Sequence, residues 1–398
     1  MRKSLVVLTL GLAFSCSVFA QSKDKEEAKD STYKFTMVKE LKYTPVKNQY
    51  RSGTCWSFSG TSFLESELLR MGKGEYDLSE MFVVRNSYKD KADHYVRMHG
   101  STNFAGGGGF PDVINSLKYY GAVPEEAYPG LLAGEKGHVH GEMDAVLRAM
   151  ADAVIKNNNK QLSPVWKKAF DGVLDAYLGD YPKSFVYKGK SYTPQSFAKE
   201  LGINPDDYVE IGSYTHHPFY TKFVLEIPDN WVWADVYNVP LEDFEKIMDY
   251  SIDKGYSIAW ASDVSEKGFA WKKGVAVVPE KDVNDLSDLE KGKWSKLSDK
   301  EKDEQLFNGK EKVISQEMRQ LAFDNYNTTD DHGMHIVGIA KDQWGNKYYY
   351  TKNSWGSDNH EYKGLFYASR AFVLLKSTSI MVNKKAIPPD IAKKLGII

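Results

Sequence analysis

Cysteine is almost missing from this chain. Its 398 residues hold two, Cys16 and Cys55, and Cys16 falls in an N-terminal stretch that reads as removable. A single remaining thiol cannot form an internal disulfide, so it is an intermolecular bridge, a buried small side chain or a reactive group. Long apolar runs are missing too. After residue 20 none approaches the roughly 20 residues that a membrane-spanning helix needs. Neither sign of charge dominates, with 52 Lys and Arg against 54 Asp and Glu. The lack of a basic stripe argues against nucleic acid as a partner. No G-x-S-x-G occurs, which disfavours a serine hydrolase, and no H-E-x-x-H occurs, which disfavours that metalloenzyme class. No internal repeat is visible.

What is present is an ordinary globular composition, 42% hydrophobic and 27% charged. Arg2 and Lys3, the apolar stretch Leu5 to Phe14 and the small-residue site Val18-Phe19-Ala20 read as a secretory signal cleaved after Ala20. The expected location is therefore periplasmic or secreted, with no membrane association after cleavage. Loss of two positive charges turns the formal −2 into −4. Residues 21–32 are a charged linker, with seven charges in the eight residues KDKEEAKD. The globular part, 33–398, is expected to carry an insertion at about 131–230 and a charged excursion at about 280–325. Residues 280–312 alone hold eight positive and ten negative charges, a mixture that suits a solvated face.

Periodicity predicts a helix from Cys55 to Met71 with Thr54 as N-cap, a second from Ser79, a third from Pro111 to Tyr120, and a later one over 241–255. Residues 256–262, 335–340, 347–352 and 364–369 read as strands. The front is helical and the back strand-rich.

Cys55 would open its helix, where the N-terminal dipole favours a thiolate. A second aid is an imidazolium from elsewhere in the fold. Seven of the nine histidines lie in contexts without a partner motif. The pairs 138/140 and 216/217 could touch a metal, but no carboxylate sits at zinc spacing, and no metal or cofactor is expected. His332 and His335 differ, because they flank the start of a strand in DDHGMHIVGIA. Twenty-one residues after His332 comes Asn353-Ser354-Trp355-Gly356, on the turn after the next strand.

Gln49, Cys55-Trp56-Ser57-Phe58, Asp331-His332-Gly333-Met334 and Asn353-Ser354-Trp355-Gly356 together resemble the papain-like cysteine peptidases, in the same order. The resemblance implies an α+β, two-lobed fold: a helical lobe carrying the Cys and a β-barrel-like lobe carrying the His and Asn. It implies Cys55 as nucleophile, His332 rather than His335 as base, Asn353 as orienting group and Gln49 as oxyanion donor. It further implies Trp355 as a shield and Gly108 and Gly109 as the rim along which substrate runs. Cys55 and His332 stand 277 residues apart, against about 130–150 in papain-type enzymes. Large insertions, and the stretches LKYYGAVPEEAYP and MVNKKAIPPDIAKKL, are similar to the bleomycin hydrolase / aminopeptidase C branch. That branch implies peptide substrates, helical insertions and a ring-like, hexamer-like homo-oligomer. An endopeptidase with an open cleft and an inactive papain-like binding protein are the alternatives.

Overall fold

The structure is a computed structural model that describes residues 33–131, 134–158, 161–281 and 286–397. The signal peptide and charged linker of the sequence reading lie outside the described residues.

The helical side of the molecule comes from the first half of the chain. It contains α1 (Cys55–Arg70), α2 (Glu80–Arg97), α3 (Phe110–Tyr119), α4 (Gly141–Ile155), α5 (Val165–Leu178) and α6 (Pro194–Leu201). Further on come α7 (Leu241–Asp253), α8 (Asp288–Trp294), α9 (Asp299–Leu306), α10 (Gln316–Asp324), α11 (Arg370–Lys376) and α12 (Pro389–Lys394). The strands are β1 (Thr36–Glu40), the small hairpin β2 (Phe185–Tyr187) and β3 (Lys190–Tyr192), then β4 (Tyr208–Gly212), β5 (Lys222–Val224), β6 (Asp235–Asn238) and β7 (Ile258–Ser262). They continue with β8 (Phe269–Ala270), β9 (Val275–Ala276), β10 (His332–Lys341), β11 (Lys347–Lys352), β12 (Leu365–Ser369) and β13 (Ser377–Asn383). Among the described residues no helix is long and apolar enough to cross a membrane.

Among the described residues, eleven strands form one mixed sheet in the order β5-β6-β4-β13-β7-β10-β11-β12-β9-β8, with β1 added to β10. Strand β10 is the hinge of the architecture: it pairs antiparallel with β1, β7 and β11. Helix α1 packs directly on it. Thirteen of the sixteen α1 residues are buried, so this helix is enclosed rather than amphipathic. Most of its buried polar groups are paired, as burial favours, the Ser66 hydroxyl being an exception. Glu65 accepts from the Leu78 N–H (2.8 Å) and the Thr44 hydroxyl (2.5 Å), and the Thr61 hydroxyl donates to Glu80 (3.0 Å).

Several elements differ from the sequence reading for identifiable reasons. Thr54 makes no side-chain cap on α1. Its hydroxyl instead meets that of Ser52 (2.5 Å), while its carbonyl accepts from the Ser57 and Phe58 N–H groups. The segment 131–230 holds strands as well as helices, and β4 within it pairs with β13 in the main sheet. Strand β13 is buried along its whole length, and its polar residues Ser377, Thr378, Ser379 and Asn383 flank the apolar Ile380-Met381-Val382, so it lacks the alternation that marks a half-exposed strand.

Candidate active site

The geometry follows from where α1 begins against β10. Side chains alternate across a strand, so Gly333 and His335 face α1 while His332 lies on the opposite face. Gly333 is needed there: a Cβ would stand 2.7 Å from the Ser59 hydroxyl and 3.1 Å from Trp56 Cα. Its closeness sets Cys55, the first residue of α1, beside the strand's first residue, His332. Both line one cleft.

His332 is buried and its Nε2 donates to Asn353 Oδ1 at 2.7 Å. That assignment is fixed, because the same Asn353 oxygen also accepts the Ser354 N–H at 2.7 Å. The neutral ring thus carries its proton on Nε2 and leaves Nδ1 with a lone pair. Trp355 lies over the ring, with centroids 4.7 Å apart. Its own packing comes from Phe269 and Trp271.

His335 points elsewhere. It is fully buried, with Nδ1 at 2.9 Å from the Ser62 hydroxyl, which also accepts from the Lys352 ammonium at 2.8 Å. Burial, and then the Lys352 charge, hold its pKa well below the usual value.

Gln49 is tied to the loop that carries Asn353. Its N–H donates to the Ser354 carbonyl (2.8 Å) and its Oε1 accepts the Ser354 hydroxyl (2.6 Å). The amide nitrogen therefore remains as its donor end. Gln49 is not among the residues lining the cleft. Ser52 anchors the same loop, its hydroxyl donating to the Gln49 carbonyl at 2.8 Å.

On the other rim, Gly108 and Gly109 line the cleft beside Trp56. A Cβ on Gly108 would meet Asp112 Oδ2 and the Trp56 ring, both at 2.9 Å. The Gly109 N–H is occupied, donating to Asp112 Oδ2 at 2.7 Å.

Burial above all, with Asp330 and Asp229 adding to the rise and the Gly333 N–H opposing it, pushes the Cys55 thiol up to about 11. Burial likewise pushes the His332 ring down to about 4, against the Asn353 hydrogen bond. Each shift is the penalty for charging one group beside a neutral neighbour. Passing the thiol proton to Nδ1 charges both at once, and the opposite charges and the α1 N-terminus then favour the pair.

Sequence reasoning missed the acids. Asp112, Glu210, Asp229 and Asp330 all line this cleft, yet they are scattered over more than 200 residues. Only the Asp330-Asp331 pair before His332 hinted at them. Burial is the main cause that raises Asp112 and Glu210 to about 7 and Asp330 to about 8. Such groups hold protons in the fold that the unfolded chain, with its ordinary carboxylates, has released. Their contribution to stability is complete below about pH 4 and fades as pH rises through 7 to 8. The Tm difference between Asp330→Asn and the parent, measured by calorimetry, is accordingly expected to be more favourable to the variant at pH 8.5 than at pH 5.

The fold brings a carboxylate to the 216/217 pair, although none stands at zinc spacing in the sequence. His216 and His217 each place Nε2 on Glu226, at 3.1 and 3.0 Å, and the three form a possible cation-holding group. Glu226 arrives from across a turn, not at a motif spacing. Gln320 donates to His216 Nδ1 at 3.0 Å, which puts the ring proton on Nε2, directed at the carboxylate. The group as built is a hydrogen-bonded triad.

The two-lobed fold, with a thiol at a helix start and an Asn-bound imidazole in one cleft, is that of a papain-like cysteine peptidase. The chain belongs to the Peptidase C1-like family, whose pattern fits residues 11–396. It is 23% identical to bleomycin hydrolase of Rattus norvegicus over 399 residues, covering 87% of this chain and 82% of the relative. Aminopeptidase E of Lactobacillus helveticus is 23% identical over 391 residues with the same coverage. Among solved structures, PepW from Lactobacillus rhamnosis superposes with a TM-score of 0.68 at 20% identity, covering 91% of this chain and 85% of that one.

Proposed function

We propose that this peptidase removes residues from the free amino end of peptides through a thioester on Cys55. The observation that carries the reading is the His332–Asn353 hydrogen bond opening onto the same cleft as Cys55. His332 takes the thiol proton and returns it to the leaving amine. Asn353 holds the ring in the tautomer that permits this. Trp355 covers the ring–amide contact. The Gln49 amide and the Cys55 backbone N–H receive the developing oxyanion, and loss of one such donor typically lowers the rate about 10²–10³-fold. Gly108 and Gly109 let the substrate backbone approach.

The aminopeptidase assignment draws on the likeness to aminopeptidase E and bleomycin hydrolase along most of the chain. The same likeness supports a homo-oligomer, which sedimentation measures. The N-terminal charge and apolar pattern supports export to the periplasm or beyond.

The deciding experiment compares one peptide amide with its N-terminus free and acetylated. The free form is expected to be cleaved at least about tenfold faster, the scale of one charge-assisted contact. Equal rates would assign an open-cleft endopeptidase instead. Iodoacetamide is expected to alkylate Cys55 at pH 6, as an ion-paired thiol allows. Labelling confined to pH above 8 would show the resting pair to be neutral.

A further inference from the structure

The acid-bearing lining of the cleft is built for a charge that the fold itself does not supply. Five carboxyl groups, Asp112, Glu210, Asp229, Asp330 and Asp331, line the cleft. Asp331 accepts the Thr329 hydroxyl (2.8 Å) and the Val264 N–H (3.3 Å), and three of the other four have a defined partner on one oxygen. Asp112 accepts the Gly109 N–H (2.7 Å), Glu210 accepts the Ser379 hydroxyl (2.7 Å), and Asp229 accepts the Asn103 amide (2.7 Å). On Asp330 the Asp229 backbone N–H acts, yet its Oδ2 is buried without a hydrogen-bond partner. A carboxyl oxygen left so in a cavity wall is unusual, since buried polar atoms are nearly always satisfied.

Lys91 is the cation that acts on Asp112 and Asp229. Its ammonium is already spent on the Ala105 carbonyl (2.8 Å) and the Gly107 carbonyl, beneath the glycine rim. No cation is among the forces acting on Glu210 or Asp330. The same cleft is also lined by the apolar Leu225, Ile227, Val232 and Ala261. An aliphatic stem lying on these side chains with a cationic head among the carboxyls satisfies both surfaces.

We infer that this pocket is the specificity site of the enzyme and that it selects a cationic group of the substrate, held by Asp330 and Glu210 next to the scissile bond. The inference rests on the peptidase reading and adds the substrate class to it. Two sources offer the same chemistry: the side chain of a lysine or arginine, and the α-ammonium of a peptide's first residue.

The test uses the full mature chain and coumarin amides of dipeptides. Blocked acetyl-Lys-Ala and acetyl-norleucyl-Ala amides report the side-chain source. Free and acetylated Ala-Ala amides report the amine source. At least one cationic member is expected to exceed its neutral partner by about tenfold or more in kcat/KM, mainly through KM. In the isosteric double variant Glu210→Gln/Asp330→Asn that ratio is expected to fall to within about twofold of one. Equal rates for both pairs in the parent, or a preference that survives in the double variant, would overturn the inference.

A second measurement is independent of turnover. Pentylamine should slow alkylation of Cys55 in the parent where pentanol does not, and the difference should vanish in the double variant. Protection by both molecules alike would also overturn the inference. Loss of hydrolysis for every substrate, with protection by pentylamine alone, would refute the peptidase reading and uphold the cation pocket.

Discussion

Alanine at His332 is expected to lower kcat/KM by about 10⁴-fold or more, the scale seen when a member of a catalytic nucleophile–base unit is removed. Secondary structure should stay at the parental level, because the ring fills the cleft edge rather than the core. The ring is the acceptor for the Cys55 proton in the mechanism above, and Asn353 is its hydrogen-bond partner. Without it the thiol faces burial and the two nearby carboxyl groups with little to favour ionisation. Alanine at His335 should behave in the opposite way. That ring is sealed against Ser62 and edge-on to Phe63, so its loss empties a buried site and lowers Tm by several degrees, the equivalent of about 1–3 kcal/mol, with kcat largely retained. Steady-state kinetics and thermal melts on the two variants separate the roles. A dead His335→Ala with an active His332→Ala would show that the wrong imidazole had been chosen.

The second large effect is expected from a residue with no side chain. In Gly333→Val the added carbons have nowhere to go: even a single Cβ would press on the Ser59 hydroxyl and the Trp56 backbone. Overpacking of this kind costs about 1–3 kcal/mol. More damaging is where the strain is relieved. Strand β10 is locked between β7 and β11, so the α1 N-terminus must shift, and Cys55 shifts with it. A displacement near 1 Å is enough to cost about 10²-fold in rate. We expect kcat/KM to fall by that amount or more, while circular dichroism still reports the fold. Gly333→Ala should be milder, and Ser59→Gly in its background should restore part of the rate by freeing the nearest contact. Full activity in Gly333→Val would refute the close-packing account of how the pair is set.

The readability of these features from sequence varied with their physics. Helix α1 and strands β10 to β12 announced themselves because their periodicity or flanking turns are strong. Cys55, His332 and Asn353 were legible because each sits in a local word whose neighbours have structural jobs: Gly333 for close approach, Trp355 for cover. Strand β13 was invisible as a strand, since complete burial erased its alternation. The cleft acids were hidden for a different reason. Asp112, Glu210, Asp229 and Asp330 converge only after β4, the 225–232 loop and α3 are folded together, and a lone Asp or Glu in sequence is by default a surface residue. The pairing of Glu226 with His216 and His217 depends on a turn in the same way.

Part of the cleft lining has an origin along the chain separate from that of the catalytic groups. Sulfur, imidazole and amide come from α1, β10 and the turn after β11, whereas Glu210, Asp229 and the apolar lining at 225–232 come from the segment between α6 and β6. Substitutions in that segment can therefore redirect which peptides are accepted without disturbing how the bond is broken. Grafting the 208–232 stretch between relatives is a direct route to exchanging their preferences on an unchanged catalytic chassis.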